Sequence, residues 1–315
     1  MPKSTRSNEL TLTRLYAAPV KAVWDAWTDV TQVAQWWGPR GFTITTHSKD
    51  LRVGGSWRYT MHGPDGVDYP NVTKYLEVEP YRRLVYDHGG TDDTPPLFRV
   101  DVTFSETSRG TQMSMTMTMS SPEAAAETRK RVKQHNGEST WDRLSEFLTE
   151  RVSNKKRFVI NRSFAVSREQ MFKMWTKPEH FARWLPPTGA EMSFVRADIR
   201  TGGDAFYVMT WADGSKMHGR VQYREILEPE RIVYSQQFCD EHEKPSRHPM
   251  MPTWPETMVT VVTLSEEGPD QTRVTVEWEP DEKSTSVEVE TFVQGRSGMT
   301  QGWSGSFDKL DVLIG

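Results

Sequence analysis

The sequence predicts an α+β protein that consists of two tandem copies of one domain. Two observations support this. A long pattern of tryptophans, glycines and prolines occurs twice at a constant spacing, and each copy runs from short helical patterns through alternating strand patterns to an amphipathic helix. The length of 315 residues is enough for two domains of ordinary size.

The repeat has a spacing of 148 residues, the distance from Trp27 to Trp175. The same distance separates Trp36 and Trp184, Gly54 and Gly202, Met61 and Met209, Asp65 and Asp213, and Tyr86 and Tyr234. Solenoid repeats are only about 20–50 residues long, so each copy is expected to bury a core of its own. We predict domains at 1–153 and 157–315, joined by a short linker.

Each copy is expected to begin with a half-buried strand and two short helices. Residues 9–16 alternate between apolar and polar side chains, which is typical of a strand. Apolar residues at helical spacing then predict a helix that contains Trp27, and Ser167 with Gln170 forms a capping box at the same place in the second copy. A second short helix is predicted over 29–36.

The middle of each copy has the pattern of an antiparallel sheet with tight turns. In the first copy, strands are predicted at 48–53, 56–62, 69–78, 83–88, 97–105 and 111–119. A terminal helix follows, which opens at Ser121, breaks near 136–137 and resumes through Trp141. Trp303 lies in the corresponding helix of the second copy.

The second copy contains an insertion. Phe104 matches Leu264 at a distance of 160, which leaves 12 extra residues around 239–256. Four prolines in this segment disfavour regular structure. We therefore expect a loop at a sheet edge or at the mouth of a cavity.

Composition excludes several classes of protein. A net charge of −4 with 26% charged residues does not suggest an extended nucleic-acid surface. No apolar run approaches the roughly 20 residues needed to span a bilayer. The single cysteine, Cys239, precludes an intramolecular disulfide and fits a reducing compartment, so a cytoplasmic location is expected.

Taken together, these residues resemble the helix-grip (START-like, SRPBCC) superfamily. More narrowly, they resemble the C-terminal domain family of the activator of the heat-shock-protein-90 ATPase. The resemblance is carried, in each copy, by the Trp-Thr pair, the tryptophan–proline cluster, Gly-Gly before a strand and Asp-Gly. It is also carried by Glu-x-x-Pro-x-x-Arg-Leu-Val-Tyr in the first copy, Glu77 to Tyr86, and by Glu225, Pro229 and Arg231 to Tyr234 in the second. It implies a curved antiparallel sheet around a long C-terminal helix, with a cavity between them.

The candidate ligand-binding side chains are large apolar residues expected on the concave face. They are Trp37, Trp57, Tyr59, Met61, Met113, Met115 and Met117 in the first copy, and Tyr207, Met209, Trp211, Val274, Val276 and Trp278 in the second. Apolar walls with a few hydroxyl or indole groups are the usual make-up of a small-molecule site. The same side chains would serve equally well as plain core.

Charged and titratable residues offer weaker candidates. Arg14 and Arg162 lie in phase with inward apolar residues, so each is expected to pair with a carboxylate such as Glu77 or Glu225, or to await an anionic ligand. His62 and His218 are predicted near the sheet interior, where they would be the only candidates for a general base. No standard metal or cofactor motif occurs, and we predict neither.

We therefore predict a non-catalytic protein with a hydrophobic cavity for a small lipophilic or amphipathic ligand in one or both domains. One alternative is an interaction protein that, as the resemblance implies, works beside a heat-shock-protein-90 chaperone. Another is an enzyme of the cyclase or hydrolase kind on the same fold, since fold does not dictate function. The enzyme hypothesis stays open but is not favoured.

Overall fold

The computed structural model describes residues 7–89, 91, 93–108, 110–134, 139–152, 156–268 and 270–315. The chain divides into two compact units, Met1–Val152 and Ser153–Gly315, which we call domain 1 and domain 2. Each contains a seven-stranded antiparallel sheet accompanied by helices. The predicted α+β class with two tandem domains is confirmed. None of the described helices is both long and apolar enough to cross a membrane.

Domain 1 begins with a strand and two helices, continues with six strands and ends with two helices. Its elements are β1 Glu9–Tyr16, α1 Val20–Thr28, α2 Val30–Trp36, β2 Thr43–Lys49, β3 Ser56–His62, β4 Asp68–Glu79, β5 Arg83–Gly89, β6 Phe98–Thr107, β7 Gly110–Thr118, α3 Pro122–Gln134 and α4 Ser139–Val152. The sheet order is β1-β7-β6-β5-β4-β3-β2, so the first and last strands of the domain are neighbours.

Domain 2 repeats this arrangement. Its elements are β8 Phe158–Phe164, α5 Arg168–Thr176, α6 Pro178–Trp184, β9 Ala190–Ala197, β10 Asp204–Trp211, β11 Lys216–Leu227, β12 Arg231–Cys239, β13 Thr257–Gly268, β14 Gln271–Pro280, α7 Ser286–Gln294 and α8 Arg296–Ile314. The sheet order is β8-β14-β13-β12-β11-β10-β9. Ser167 caps α5 through the predicted capping box with Gln170.

Strand pairing shows which residues correspond between the two domains. Met115 lies opposite Leu12 in domain 1, and Val276 lies opposite Ile160 in domain 2. Two residues further along the same strands, Met117 of domain 1 therefore corresponds to Trp278 of domain 2. This correspondence permits a position-by-position comparison of the two concave faces.

The strand predicted at 48–53 is wrong: β2 lies earlier, at Thr43–Lys49. Residues after Lys49 turn back instead, and the Asp50 amide donates to the Ser56 carbonyl at 2.9 Å. A Cβ on Gly55 would lie 2.3 Å from the Asp50 carbonyl oxygen, so this turn requires glycine there. The predicted helix break near 136–137 lies outside the described residues.

The tryptophans of the repeat form the scaffold of each core. Trp36 and Trp184 are both fully buried, and their indole nitrogens donate to the carbonyls of Ala26 and Met174 at 3.0 and 2.9 Å. Each bond ties the second short helix to the first. A buried indole N–H needs such a partner, which explains why a tryptophan suits this position.

The insertion of domain 2 is an irregular segment between β12 and β13 that packs against helix α7. The ring centroid of Trp254 lies 5.9 Å from that of Phe292, and Arg247 forms an ion pair with Glu288. Both partners belong to α7. The insertion is therefore part of the folded domain, and its indole adds apolar volume beneath that helix.

Candidate functional site

Domain 1 contains a partly open cavity of about 160 Å³ between the concave face of its sheet and helix α4. Strands β3, β5, β6 and β7 supply one wall, while α4 and the loop after α2 supply the other. The lining residues are Trp37, Gly38, Pro39, Tyr59, Met61, Tyr86, His88, Phe98, Val100, Met115, Met117, Thr140 and Trp141. The wall is mainly apolar and aromatic, with a few hydroxyls and one imidazole.

Five of the seven candidates named in domain 1 line this cavity: Trp37, Tyr59, Met61, Met115 and Met117. The alternation of β3 and β7 places these strand residues on the concave face, as their spacing predicts. Met113 is fully buried core instead. Trp57 stacks on Tyr59 at a centroid distance of 4.0 Å and lines a smaller gap beside the cavity.

The loop wall of the cavity is held in place by helix α4. The Arg143 guanidinium donates to the carbonyls of Gly38 and Pro39 at 2.8 and 3.0 Å, and Arg40 pairs with Glu146 at 2.9 Å. Gly38 has a φ of +96°, which other residues adopt only with strain. This loop is therefore fixed by several contacts.

The strands contribute three polar side chains to the cavity: Tyr59, Tyr86 and His88. The Trp37 indole donates to the Tyr59 hydroxyl at 3.0 Å. Tyr86 and His88 have no hydrogen-bond partner among the described residues. Burial raises the pKa of Tyr86 well above its ordinary value and lowers the pKa of His88 to about 4. Both side chains are therefore neutral at pH 7.

Several lining residues were absent from the sequence-based candidates, namely Tyr86, His88, Phe98, Val100 and Trp141. A signal for the first two exists. Leu84, Tyr86 and His88 are two residues apart along β5 and therefore share one face of the strand. Leu84 is apolar and buried, which indicates that this face points inward. The partners of β5 across the sheet depend on strand register, which the sequence alone does not supply.

Beside the cavity lies a gap of about 10 Å³ that contains an unusual lysine. The Lys49 Nζ lies 3.9 Å from the centroid of the Trp57 ring and donates to the Trp27 carbonyl at 3.2 Å. Burial lowers the pKa of this amine to about 7, against a smaller opposing effect of Asp29. The lysine forms no ion pair with any described residue.

The corresponding face of domain 2 is filled differently. Tyr207, Met209 and Trp211 contact the core from the concave face, and Val274 and Val276 are completely buried within it. Trp278 replaces Met117, and its ring lies 5.5 Å from that of Trp303. Trp303 corresponds to Trp141 of the domain 1 cavity, since Trp303 stacks on Trp175 as Trp141 stacks on Trp27. Domain 2 thus has a larger side chain than domain 1 at this place on the concave face.

Arg162 pairs with carboxylates, as predicted, but they are two aspartates of α8 and not the example named, Glu225. Arg162 bonds Asp308 at 2.7 Å and Asp311 at 3.1 Å on α8, while its predicted partner Glu225 lies 3.7 Å from Arg231. Arg14 is buried and donates to the Thr13 carbonyl. Its predicted partner, Glu77, bonds Arg83 at 2.9 Å. Arg162 is thus an intradomain tie between β8 and α8.

The placement of the two candidate histidines in the sheet interior is wrong. His62 lies on the outer face of its sheet, between Thr45 at 2.8 Å and Asp68 at 2.6 Å. His218 also lies on the outer face, stacked on Phe206. In both strands these residues alternate with the ones that point inward. Within the part of the chain that is described, no three side chains cluster as metal ligands.

A family model described as "Activator of Hsp90 ATPase homolog 1-like protein" matches residues 17–149 and again 165–315. None of the curated proteins compared with the chain matches it. Similar solved structures include protein Ms6760 from Mycobacterium smegmatis, with 22% identity over 51% of this chain and 92% of the other and a TM-score of 0.43. Protein NE0264 from Nitrosomonas europaea has 25% identity over 48% and 99%, also with a TM-score of 0.43.

Proposed function

The chain belongs to the Activator of Hsp90 ATPase homolog 1-like family, and on that premise we propose that domain 1 is a non-catalytic binding module for a small lipophilic or amphipathic molecule. The observation that carries this proposal is the cavity between the sheet and α4. The motifs of the family do not indicate which ligand binds. The size and the apolar lining of the cavity limit the ligands that would fit.

The cavity volume of about 160 Å³ limits the ligand to roughly one aromatic ring. An engineered apolar cavity of about 150 Å³ in another protein binds benzene, whereas sites for drug-sized molecules are roughly 300–1,000 Å³. Met61, Met115 and Met117 add adaptability, because methionine side chains have several rotatable bonds and a polarisable sulfur. Rings of slightly different shape would thus be accepted.

We propose titration of the full-length protein with toluene while the methyl groups of ¹³C-labelled methionines are followed by NMR. Saturable shifts are expected for Met61, Met115 and Met117, which line the cavity, but not for Met250, which is exposed in the insertion. The absence of any saturable shift at the three lining methionines would refute the proposal.

A filling variant makes the test specific to the cavity. Met117→Trp copies the residue of domain 2 and is expected to abolish the toluene response, because the indole takes up the space. The matched control is Gln112→Trp, which places the same side chain on the exposed outer face of the same strand. Equal loss of response in both variants would mean that the signal does not report on the cavity.

Family membership favours a second candidate, an interaction with a chaperone of the heat-shock-protein-90 type. It predicts faster ATP hydrolysis when such a chaperone is mixed with the full-length protein, and no stimulation at saturating protein would reject it. We propose a cytoplasmic setting for either function, since the single cysteine fits a reducing compartment. The enzyme alternative loses its two sequence candidates, because His62 and His218 lie on outer faces.

A further inference from the structure

We propose that Tyr86 and His88 form a polar end of the domain 1 cavity that selects an uncharged aromatic alcohol, a phenol, over the corresponding hydrocarbon and over charged relatives. This inference rests on the proposed binding function. It adds the chemical class of the ligand, which the size and the apolar walls of the cavity leave open.

Tyr86 and His88 both present polar side chains to the cavity. Tyr86 is 4% exposed, lies next to His88 on one face of β5, and lines the cavity with it. Neither makes a hydrogen bond to a described residue, so the polar atoms of both can bond a molecule that enters the cavity. Buried polar groups in folded proteins are nearly always satisfied by protein, water or ligand. A ligand hydroxyl at this end would meet that requirement.

The cross-strand neighbours of this pair are apolar. Across the sheet, Val100 lies opposite Tyr86 and Phe98 lies opposite His88. The His88 ring stacks on Phe98 at a centroid distance of 4.8 Å and an angle of 23°. This contact holds the imidazole plane while its edge remains available. Tyr86 and His88 thus have apolar cross-strand neighbours, whereas the nearby Tyr59 hydroxyl already accepts a hydrogen bond from the Trp37 indole.

The described lining of the cavity is uncharged. None of the described residues that line the cavity carries a formal charge at pH 7, since His88 is neutral there. A carboxylate or an ammonium group would lose its hydration without gaining a counter-charge, which is costly. A neutral imidazole offers one donor and one acceptor, and a phenol hydroxyl both donates and accepts. The two are therefore complementary without any ionisation.

Domain 2 lacks this combination. Gln236 takes the place of His88, and Thr260 takes the place of Val100. The Thr260 hydroxyl lies beside Tyr234, the counterpart of Tyr86, so this tyrosine has a polar neighbour inside the protein. The pair of a tyrosine and a histidine is consequently a property of domain 1.

The test compares four probes on the full-length protein by calorimetry and by the methionine NMR signals: toluene, 4-methylphenol, 4-methylbenzoate and 4-methylbenzylamine. We expect 4-methylphenol to bind about tenfold more tightly than toluene, which corresponds to about 1.4 kcal/mol and lies within the usual range for one net hydrogen bond. The two charged probes are expected not to saturate the cavity. In Tyr86→Phe and His88→Phe, the preference for the phenol should fall to about threefold or less, with toluene affinity retained.

The possible results separate the two proposals. If toluene or 4-methylbenzoate binds as tightly as 4-methylphenol, the polar selection is overturned while the binding function stands. If no probe binds, both are overturned. Tyr234→Phe is the matched control in domain 2 and should leave all four affinities unchanged. The comparison of probes on the unaltered protein decides the question even if a variant does not fold.

Discussion

The two domains share a scaffold but differ in what fills the space between sheet and helix. Trp36 and Trp184 are buried alike and make the same hydrogen bond to the preceding helix. On the concave face, Met117 of domain 1 corresponds to the much larger Trp278 of domain 2. A single fold therefore accommodates a methionine in one copy and an indole in the other at the same place on the concave face.

The loop after the second short helix also differs in sequence between the two domains. In domain 1 it contains Trp37 and Gly38, whereas domain 2 has Leu185 and Pro186 at these places. Arg143 holds the loop carbonyls in domain 1, while Ser306 and Lys309 donate to the loop carbonyls in domain 2. The terminal helix thus holds the loop in both domains, but with different side chains. The loop residues themselves also differ.

The largest expected effect concerns the shared scaffold. Trp36→Ala and Trp184→Ala should each destabilise their own domain by about 3–5 kcal/mol, because each removes a fully buried side chain and leaves a cavity. Hydrogen exchange with peptide resolution would assign each loss to a domain. Markedly unequal losses would show that the two scaffold positions do not contribute equally to the stability of their domains.

The next effect concerns the filled interior of domain 2. Trp278→Met should destabilise domain 2 by about 2 kcal/mol, since the smaller side chain leaves a void. The variant should also acquire saturable toluene binding in domain 2, detected at Met209 by methyl NMR. Without such binding, the indole is not what closes this interior.

Much of the fold follows from the sequence because its signals are local. Alternation in β7 places Met113, Met115 and Met117 on one face, and the structure has them there. The strand predicted at 48–53 fails for a local reason that is harder to detect. Gly54 and Gly55 close a tight turn, and the preceding polar residues 43–49 form the strand instead.

The site is less predictable because it depends on contacts between distant segments. His88 joins the cavity through the register of β5 with β6, which places it against Phe98. Arg162 bonds two aspartates whose position depends on how α8 rotates against the sheet. Neither relation is encoded in the local pattern of residues. The sequence therefore indicates an apolar concave face but not the polar end of its cavity.

A third, smaller effect tests the loop wall of domain 1. Gly38→Ala should cost about 1–2 kcal/mol, because its φ of +96° is unfavourable for alanine. The added Cβ would also lie 2.8 Å from the Met61 Cε and push this side chain, which lines the cavity. Toluene affinity should fall as well. Unchanged affinity would mean that Met61 relaxes away from the cavity.

Gly66→Ala is the matched control for that change. Gly66 has a φ of +78° with no atom within 4 Å of an added Cβ, so the backbone strain is present without the contact. Its unfolding free energy should fall by a similar amount while toluene affinity stays the same. A loss of affinity in this control as well would mean that strain, rather than displacement of Met61, weakens binding.

The smallest effect concerns Lys49, which has alanine, Ala197, as its counterpart in domain 2. Its pKa is about 7 in the folded protein and near the ordinary value of 10.5 when unfolded. Between these values the unfolded state binds more protons, so the unfolding free energy contributed by Lys49 rises with pH from 7 to about 10.5. Below pH 7 the amine is protonated in both states, and burial of the charge lowers stability by its full amount.

Lys49→Met should remove this contribution to the pH dependence. Urea unfolding of the full-length protein at pH 7 and pH 9 would measure it as the difference between wild type and variant at the two values. Lys74→Met is the control, since Lys74 lies exposed on β4. If Lys49→Met and Lys74→Met change the pH dependence equally, the position over Trp57 does not depress the pKa of the amine. The gap beside Lys49 would then be open to water, and the buried lysine would not be a difference in pH dependence between domain 1 and domain 2.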